Sequence, residues 1–158
     1  MEIYFSSFLS EDLGVQIVHI GSTAVPSLAA KPVIDLNLVL RSAGDLPAVI
    51  ERLARLGYVH EGDLGIVGRE AFATPPGYSR HDHHLYVCAP DWSGHADQVA
   101  FRDYLRAHRR TAIAYARLKR SLAATHGTNR SAYANAKSGF IEDVLRHARV
   151  AATSSHPP

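Results

Sequence analysis

The arrangement of apolar and polar positions divides the chain into two parts at about residue 90. The first part contains short runs rich in β-branched and aromatic residues, separated by Gly and Pro, a pattern typical of strands. It predicts five strands, at residues 16–20, 33–40, 58–61, 69–73 and 83–88. A helical pattern interrupts them at "GDLPAVIERLARLG" (44–57), where Asp45 is expected to cap the helix and Gly57 to end it. Three residues are expected to face the core from this helix: Ile50, Leu53 and Leu56.

The second part has few Gly or Pro residues and shows the 3.6-residue periodicity of amphipathic helices. It predicts three helices, running from about residue 97 to 108, from 111 to 127 and from 131 to 148. The pattern therefore predicts one mixed α+β domain over residues 1–150, with a short sheet and additional C-terminal helices. The remaining segment, "AATSSHPP" (151–158), has the composition of a disordered tail.

Composition excludes several classes of protein. At 158 residues the chain can bury a core without disulfides or a structural metal, and it has a single cysteine, Cys88. A net charge of +2 and the lack of a basic, aromatic-rich stripe argue against nucleic acid as a partner. No apolar run approaches the ~18 residues of a membrane span, and the N-terminus lacks the pattern of a signal peptide. These features predict a cytoplasmic protein; they do not predict its oligomeric state.

The strand at 33–40 carries a carboxylate among aliphatic residues. Strand side chains alternate between faces, so Asp35 and Asn37 share one face while the leucines share the other. The strand at 83–88 divides in the same way and places His84 and Tyr86 together. If the aliphatic faces of both strands join one core, these four polar side chains lie on the opposite face of the sheet. That face is the predicted site.

A Gly-Ser-Thr turn directly follows the first strand. Gly21 allows the backbone to approach a ligand, and Ser22 and Thr23 offer hydroxyl and N–H donors. The next segment, "VPSLAA" (25–30), is expected to form a short helix whose N-terminus could bind an anion, with Lys31 neutralising the same charge. Each feature also has an ordinary structural explanation, since such turns are common in loops. Their combination favours phosphate binding beside a metal-binding carboxylate.

The segment "HIGSTAVPSLAAKPVIDL" (19–36) resembles the signature of the GrpB family, a branch of the nucleotidyltransferase superfamily. The resemblance extends over about residues 17–148 and includes "LGY" (56–58), "GRE-x-F" (68–72), "HHLYV" (83–87), "FRDYLR" (101–106), "YARLKRSLA" (115–123) and "Y-x-x-x-K-x-x-F-I" (133–141). It implies a nucleotidyltransferase-type fold, with a short mixed sheet and helices on one side. It also implies that Gly21 and Ser22 match the superfamily's phosphate-binding turn and that Asp35 matches its first metal carboxylate.

Three departures from the superfamily's pattern bear on catalysis. Asn37 stands where a second metal carboxylate is usual, and a neutral amide is a poor ligand for Mg²⁺. Tyr86 stands where the family often has a histidine, which argues against a two-histidine metal site. The Trp-Pro segment that usually opens the family is missing, and "MEIYFSSFL" (1–9) is interpreted as the remnant of the first helix, so a wall of the pocket is expected to be absent.

The sequence leaves three functions open. The first is transfer of a nucleotidyl group to a small acceptor, with Mg²⁺ or Mn²⁺ on Asp35 and Asn37 and with His84 as ligand or general base. The second is a binding module for nucleotides or CoA-linked compounds that has lost the chemistry. The third is a metal-independent enzyme that uses Asp35 and His84 as an acid/base pair.

Further residues are candidates for the same site. Positive charge for a phosphate is expected from Arg69 and Arg80. Lys137 is included as well, because it lies on the buried stripe of its helix and its ammonium group must reach either solvent or an anion. The sequence does not choose among four candidates for a further metal carboxylate: Glu61, Asp63, Glu70 and Asp82.

Overall fold

The computed structural model of the chain describes residues 13–77, 82–126 and 129–154. Within these ranges the strands are β1 (Gln16–Ile20), β2 (Ile34–Val39), β3 (Val59–Gly62), β4 (Arg69–Ala73) and β5 (His83–Cys88). The helices are α1 (Leu46–Arg55), α2 (Ser93–Ala107), α3 (Arg109–His126) and α4 (Arg130–Ser154). The five strand predictions are confirmed, three of them with the predicted bounds. None of the helices described is long and apolar enough to cross a membrane.

The strands form one mixed sheet in the order β1-β2-β5-β4-β3. The central strands β2 and β5 are parallel, and the other neighbours are antiparallel. In the register of β2 and β5, Asp35 lies beside His84 and Asn37 lies beside Tyr86. Residues paired in this way point to the same side of a sheet. The predicted polar face therefore exists.

The opposite face of the sheet packs against α1. Leu38 of β2, Leu85 of β5, and Val49 and Leu53 of α1 are almost completely buried in one hydrophobic core. Burying an aliphatic side chain of this size contributes about 1.5–3 kcal/mol, so this layer holds the central strands in register. The predicted core positions Ile50 and Leu56 lie at its edge.

Helices α2, α3 and α4 cover the polar face. They meet in a second core, where the ring of Tyr115 packs edge-on against Phe101 and stacks on Phe140. Val25 and Leu28, from the segment after the Gly-Ser-Thr turn, insert into the same core. The sheet is therefore covered on both faces, and the polar side chains lie beneath the C-terminal helices.

Three local predictions need correction. The segment 25–30 is not a helix: a 3₁₀ turn at Ser22–Ala24 is followed by irregular chain, because Val25 and Leu28 are drawn into the core of α2 and α3. Asp45 does not cap α1 directly; its carboxylate accepts the backbone N–H of Ser42, which begins a 3₁₀ turn ahead of the helix. Helix α4 continues through Ser154, four residues into the predicted tail, while residues 155–158 lie outside the described ranges.

Candidate functional site

A cavity of about 310 Å³ lies between the polar face of the sheet and the C-terminal helices. Asp35, Arg69 and Tyr86 line it from the sheet, and Gly21 and Ser22 line it from the turn after β1. The helices contribute a largely apolar wall: Phe101, Leu105, Tyr115, Ile141 and Leu145. An apolar cleft with a few convergent polar groups is the usual form of a small-molecule site, and this volume lies at the lower end of the range.

Asp35 and His84 form a hydrogen-bonded pair at the edge of this cavity. The Nδ1 of His84 lies 2.8 Å from the Oδ1 of Asp35, and the imidazole is 57% exposed. A carboxylate that accepts the Nδ1 proton of a histidine fixes its tautomer and leaves Nε2 with a free lone pair. The prediction that Asp35, Asn37, His84 and Tyr86 share one face of the sheet, with Ser22 at its rim, is confirmed.

Gly21 is required at the point where the turn crosses Asp35. Its φ of +74° lies in the left-handed region, and a Cβ built at this position would collide with the Oδ2 of Asp35. The absence of a side chain allows the backbone of the turn to pack directly against the carboxylate. Gly21 therefore sets the position of Asp35.

Ser22 is held by a lysine that sequence analysis missed. The Nζ of Lys119, on α3, donates to the Oγ of Ser22 at 2.8 Å and to the carbonyl oxygen of Ala29 at 2.9 Å. The signal was present in the sequence, since Lys119 follows Tyr115 by four residues on the packed side of its helix.

Lys119 and Lys137 bring two half-buried positive charges close to one another. Burial lowers the pKa of Lys119 below its ordinary value, and repulsion from Lys137 lowers it further. Burial also lowers the pKa of Lys137, while attraction to Asp35 acts in the opposite direction. The ammonium of Lys137 lies 4.4 Å from the centre of the Tyr133 ring. Neither lysine forms an ion pair with a carboxylate of the described chain, so their charge is available to an anion.

Arg69 and Tyr86 form another polar group on the sheet. The guanidinium carbon of Arg69 lies 4.3 Å from the centre of the Tyr86 ring, a cation–π contact. The Nε of Arg69 is buried and has no hydrogen-bond partner in the described parts of the chain. Burial raises the pKa of the Tyr86 phenol, only partly opposed by Arg69, and the charges of Asp35 and Glu61 raise it further. The phenol is therefore a neutral hydrogen-bond donor at pH 7.

Asn37, a predicted metal ligand, does not line the cavity. Its side chain is fully buried beneath α2, where Nδ2 donates to the Oε1 of Gln98 at 2.7 Å and to the Nδ1 of His95 at 3.0 Å. Burial, helped by the charge of Arg102, lowers the pKa of His95 and keeps its imidazole neutral, as an acceptor must be. Asn37 thus ties α2 to the sheet through its Nδ2, while its Oδ1 is buried and has no hydrogen-bond partner among the described residues; the side chain does not line the cavity.

Replacing Asn37 with Asp is expected to destabilise the protein instead of completing a metal site. A carboxylate there would be fully buried, with an oxygen facing Gln98 Oε1 and the lone pair of His95 Nδ1, and burying such a group costs about 1–3 kcal/mol or more. Urea unfolding with and without Mg²⁺ measures the effect, with the exposed Asn135→Asp as control. Recovery of stability by Mg²⁺ in the Asn37 variant alone would contradict this assignment.

Other predicted site residues lie elsewhere. The hydroxyl of Thr23 donates to the carbonyl of Val33 and lies 2.9 Å from the Nε2 of His19, so it holds the turn together. Lys31 is exposed and does not line the cavity, and the helix N-terminus expected beside it is not formed. Arg80 lies outside the described residues.

The carboxylate that joins Asp35 in lining the cavity is Asp97 of α2, which sequence analysis did not select. Its Oδ1 accepts a hydrogen bond from Arg149 at 2.9 Å. None of the four predicted candidates lines the cavity: Glu61, Asp63, Glu70 and Asp82. Glu70 pairs with His60 instead, and Asp63 accepts the N–H of Gly65 within its own loop.

The donors present fit one divalent cation better than two. Among the described residues no group of three or more His, Cys, Asp or Glu side chains could hold a metal ion. Mg²⁺ in proteins is often bound by one or two carboxylates together with phosphate oxygens of the substrate. Asp35 satisfies that minimum when a phosphorylated ligand is present, whereas the two-metal arrangement lacks a second carboxylate on β2, where Asn37 stands.

Comparison with known proteins agrees with the fold and the resemblance. The family model described as "GrpB protein" matches residues 4–147. A crystal structure of the conserved protein GrpB from Enterococcus faecalis superposes with a TM-score of 0.76 and 31% identity, covering 92% of this chain and 86% of that one. A terminal uridylyl transferase from Trypanosoma brucei gives a TM-score of 0.45 at 18% identity over 91% of this chain and 53% of that one, too distant to inform on activity.

The mixed sheet with its polar face beneath C-terminal helices thus defines an α+β domain of the GrpB type. The chain belongs to the GrpB family. It is also 36% identical over 135 residues to the UPF0157 protein YqkA of Bacillus subtilis, and it spans 39% of that relative's length.

Proposed function

We propose that this chain binds a nucleotide or another phosphorylated small molecule in the cavity, with phosphate groups at Ser22, Lys119 and Lys137. The observation that carries the proposal is a pair of half-buried lysines beside cavity-lining residues: Lys119 donates to the Ser22 hydroxyl, and the charge of Lys137 acts on Lys119 and is attracted by Asp35. Two like charges kept partly out of water repel one another, and a bound anion relieves that repulsion. Phosphate oxygens accept hydrogen bonds from ammonium and hydroxyl groups alike.

Asp35 is the group that would hold a divalent cation, Mg²⁺ or Mn²⁺, together with the ligand's phosphate. When bound, the cation supplies neutralisation of the phosphate charge. Asp35 itself is kept in place by Gly21 and His84, so it is oriented before the ligand arrives. The apolar wall of Phe101, Tyr115 and Leu145 would receive the non-phosphate part of the ligand.

A thermal-shift screen of nucleotides and CoA species, with and without Mg²⁺ or Mn²⁺, tests the proposal directly. Inorganic tripolyphosphate serves as a probe of the phosphate-binding groups alone. Stabilisation by at least one phosphorylated compound, absent with its dephosphorylated counterpart, is the expected result. If no phosphorylated compound, tripolyphosphate included, stabilises the protein, the proposal is wrong.

Replacing Lys119 with Gln is expected to weaken tripolyphosphate binding by about tenfold or more, because it removes a charge-assisted hydrogen bond. Ser22→Ala should weaken it less, since a neutral donor is lost and Lys119 remains. Calorimetric titration measures both variants, and the exposed Arg117→Gln on the same helix controls for overall charge. Equal weakening by Lys119→Gln and Arg117→Gln would indicate a long-range charge effect instead of a contact.

A second candidate function is nucleotidyl transfer, and the Asp35–His84 hydrogen bond favours it. The free Nε2 of His84 can accept the proton of an acceptor hydroxyl or amine. The acceptor's oxygen or nitrogen then bonds to the α-phosphorus of a nucleoside triphosphate, and the bond to pyrophosphate breaks. The proton resides on His84, and pyrophosphate leaves.

Pyrophosphate release from nucleoside triphosphates, measured with a small-molecule extract as the source of acceptors, tests this second function. Release that depends on His84 and on added Mg²⁺ supports it. Release that persists in chelator supports the metal-independent enzyme. Ligand binding without release in any condition supports a binding module.

A further inference from the structure

Arg69 lies at the far end of the cavity from the lysine pair. It pairs in the sheet with Cys88, four residues along β5 from His84, which corresponds to about 13 Å at ~3.3 Å per residue. The guanidinium of Arg69 lies over the ring of Tyr86, which stands between His84 and Cys88 on β5. Lys119 instead contacts Ser22, just after β1 ends beside Asp35. The cavity therefore has two separate positive groups.

The surroundings of Arg69 differ from those of the lysines. It is a single cation, its Nε has no acceptor among the described residues, and its neighbour Tyr86 offers a neutral phenol. The charges of Asp35 and Glu61 both reach Tyr86, where they raise the pKa of the phenol. Asp35 and Glu61 would repel a second negative charge on a ligand. This end of the cavity therefore favours a monoanion over a phosphate dianion.

We propose that Arg69 binds the carboxylate group of a second ligand, in a subsite distinct from the phosphate-binding end of the cavity. The planar guanidinium matches a carboxylate with two parallel hydrogen bonds, which a single ammonium cannot do. The Tyr86 phenol can donate to the same carboxylate. Apolar side chains of Phe101, Ile141 and Leu145 line the rest of the cavity, so the ligand is a small carboxylate with an apolar body.

This inference rests on the proposed function, because it takes Ser22 and Lys119 to be occupied by phosphate. It assigns Arg69 to the acceptor side of the site instead of to the phosphate. A carboxylate compound anchored there would extend along the sheet toward Asp35 and His84. Transfer of a nucleotidyl group to a small acceptor requires this arrangement, with the acceptor held next to the phosphate-binding groups.

Two probes separate the two ends of the cavity: benzoate for Arg69 and tripolyphosphate for Lys119, each titrated by NMR. Arg69→Gln should weaken benzoate binding by about tenfold or more and leave tripolyphosphate binding within about twofold. Lys119→Gln should show the reverse. Benzyl alcohol, which lacks the charge, should bind the wild type no better than it binds the Arg69 variant. The exposed Arg55→Gln, on the opposite side of the sheet, controls for net charge.

Arg69→Lys keeps the positive charge but loses the two parallel hydrogen bonds of the guanidinium, so it should weaken benzoate binding less than Arg69→Gln does. It replaces Arg69→Gln in the test if that variant does not fold. Failure of benzoate to bind the wild type, or equal binding by the folded Arg69 variants, would overturn the inference. So would loss of tripolyphosphate binding in those variants, since Arg69 would then belong to the phosphate site. Failure of tripolyphosphate to bind the wild type would instead overturn the proposed function.

Discussion

Replacing Asp35 with Asn is expected to abolish the Mg²⁺-dependent part of nucleotide binding while leaving the fold intact. Asp35 is the carboxylate on the sheet that lines the cavity, so the variant leaves a divalent cation without its protein ligand there. The fold should persist because Asn preserves the shape and its oxygen can still accept the Nδ1–H of His84. In the wild type, cation and nucleotide should each raise the other's affinity by the same factor, as linkage requires.

Calorimetric titration of a bound nucleotide with and without Mg²⁺ measures this coupling. Binding couplings commonly span about 5- to 150-fold, and the Asp35 variant should reduce the factor to about one. The control is Asp91→Asn, which makes the same change in net charge at an exposed position outside the cavity and should preserve the coupling. Equal nucleotide affinity with and without Mg²⁺ in the wild type would remove the cation from the mechanism and favour the binding module.

The sheet face of the site could be predicted because alternation along a strand depends only on residue parity. Once the leucines of β2 and the apolar residues of β5 are assigned to one core, Asp35, His84 and Tyr86 must share the other face. Parity alone does not fix the register, because a shift of two residues keeps every side chain on its face; the contact between Asp35 and His84 is a finding of the structure. The direction and depth of each side chain do not follow from parity.

Asn37 illustrates that limit. Parity places it correctly on the polar face, but only the packing of α2 decides that it is buried and bonded to Gln98 and His95. A strand pattern cannot indicate which part of its polar face a later helix covers. The assignment of Asn37 as a metal ligand therefore went beyond what the pattern could support.

Residues contributed by the helices were the least predictable. Lys119 and Asp97 reach the site because α3 and α2 are rotated so that these positions face the sheet, and that rotation depends on contacts far apart in sequence. The segment 25–30 resembled a helix locally, but burial of Val25 and Leu28 overrode that preference. Tertiary packing decided both outcomes.

Replacing Gly21 with Ala is expected to cost both stability and ligand binding. With φ +74° and ψ −170°, Gly21 adopts a conformation essentially restricted to glycine, and holding another residue in it costs about 1–3 kcal/mol. At Gly21 the added methyl group would also displace the carboxylate of Asp35, which would separate it from His84. The variant should therefore lose more stability than strain alone explains, and its Mg²⁺-dependent nucleotide binding should fall by about tenfold or more.

Gly65→Ala is the matched control for this substitution. Gly65 has a φ of +80°, close to the +74° of Gly21, but a Cβ there would meet no atom within 4 Å. It should show the cost of backbone strain in urea unfolding and retain full ligand binding. If Gly21→Ala loses no more stability than Gly65→Ala and binds Mg²⁺ and nucleotide normally, then the close packing of the turn against Asp35 does not position the carboxylate. Selective loss of binding in the Gly21 variant would show that the turn acts on the ligand through Asp35.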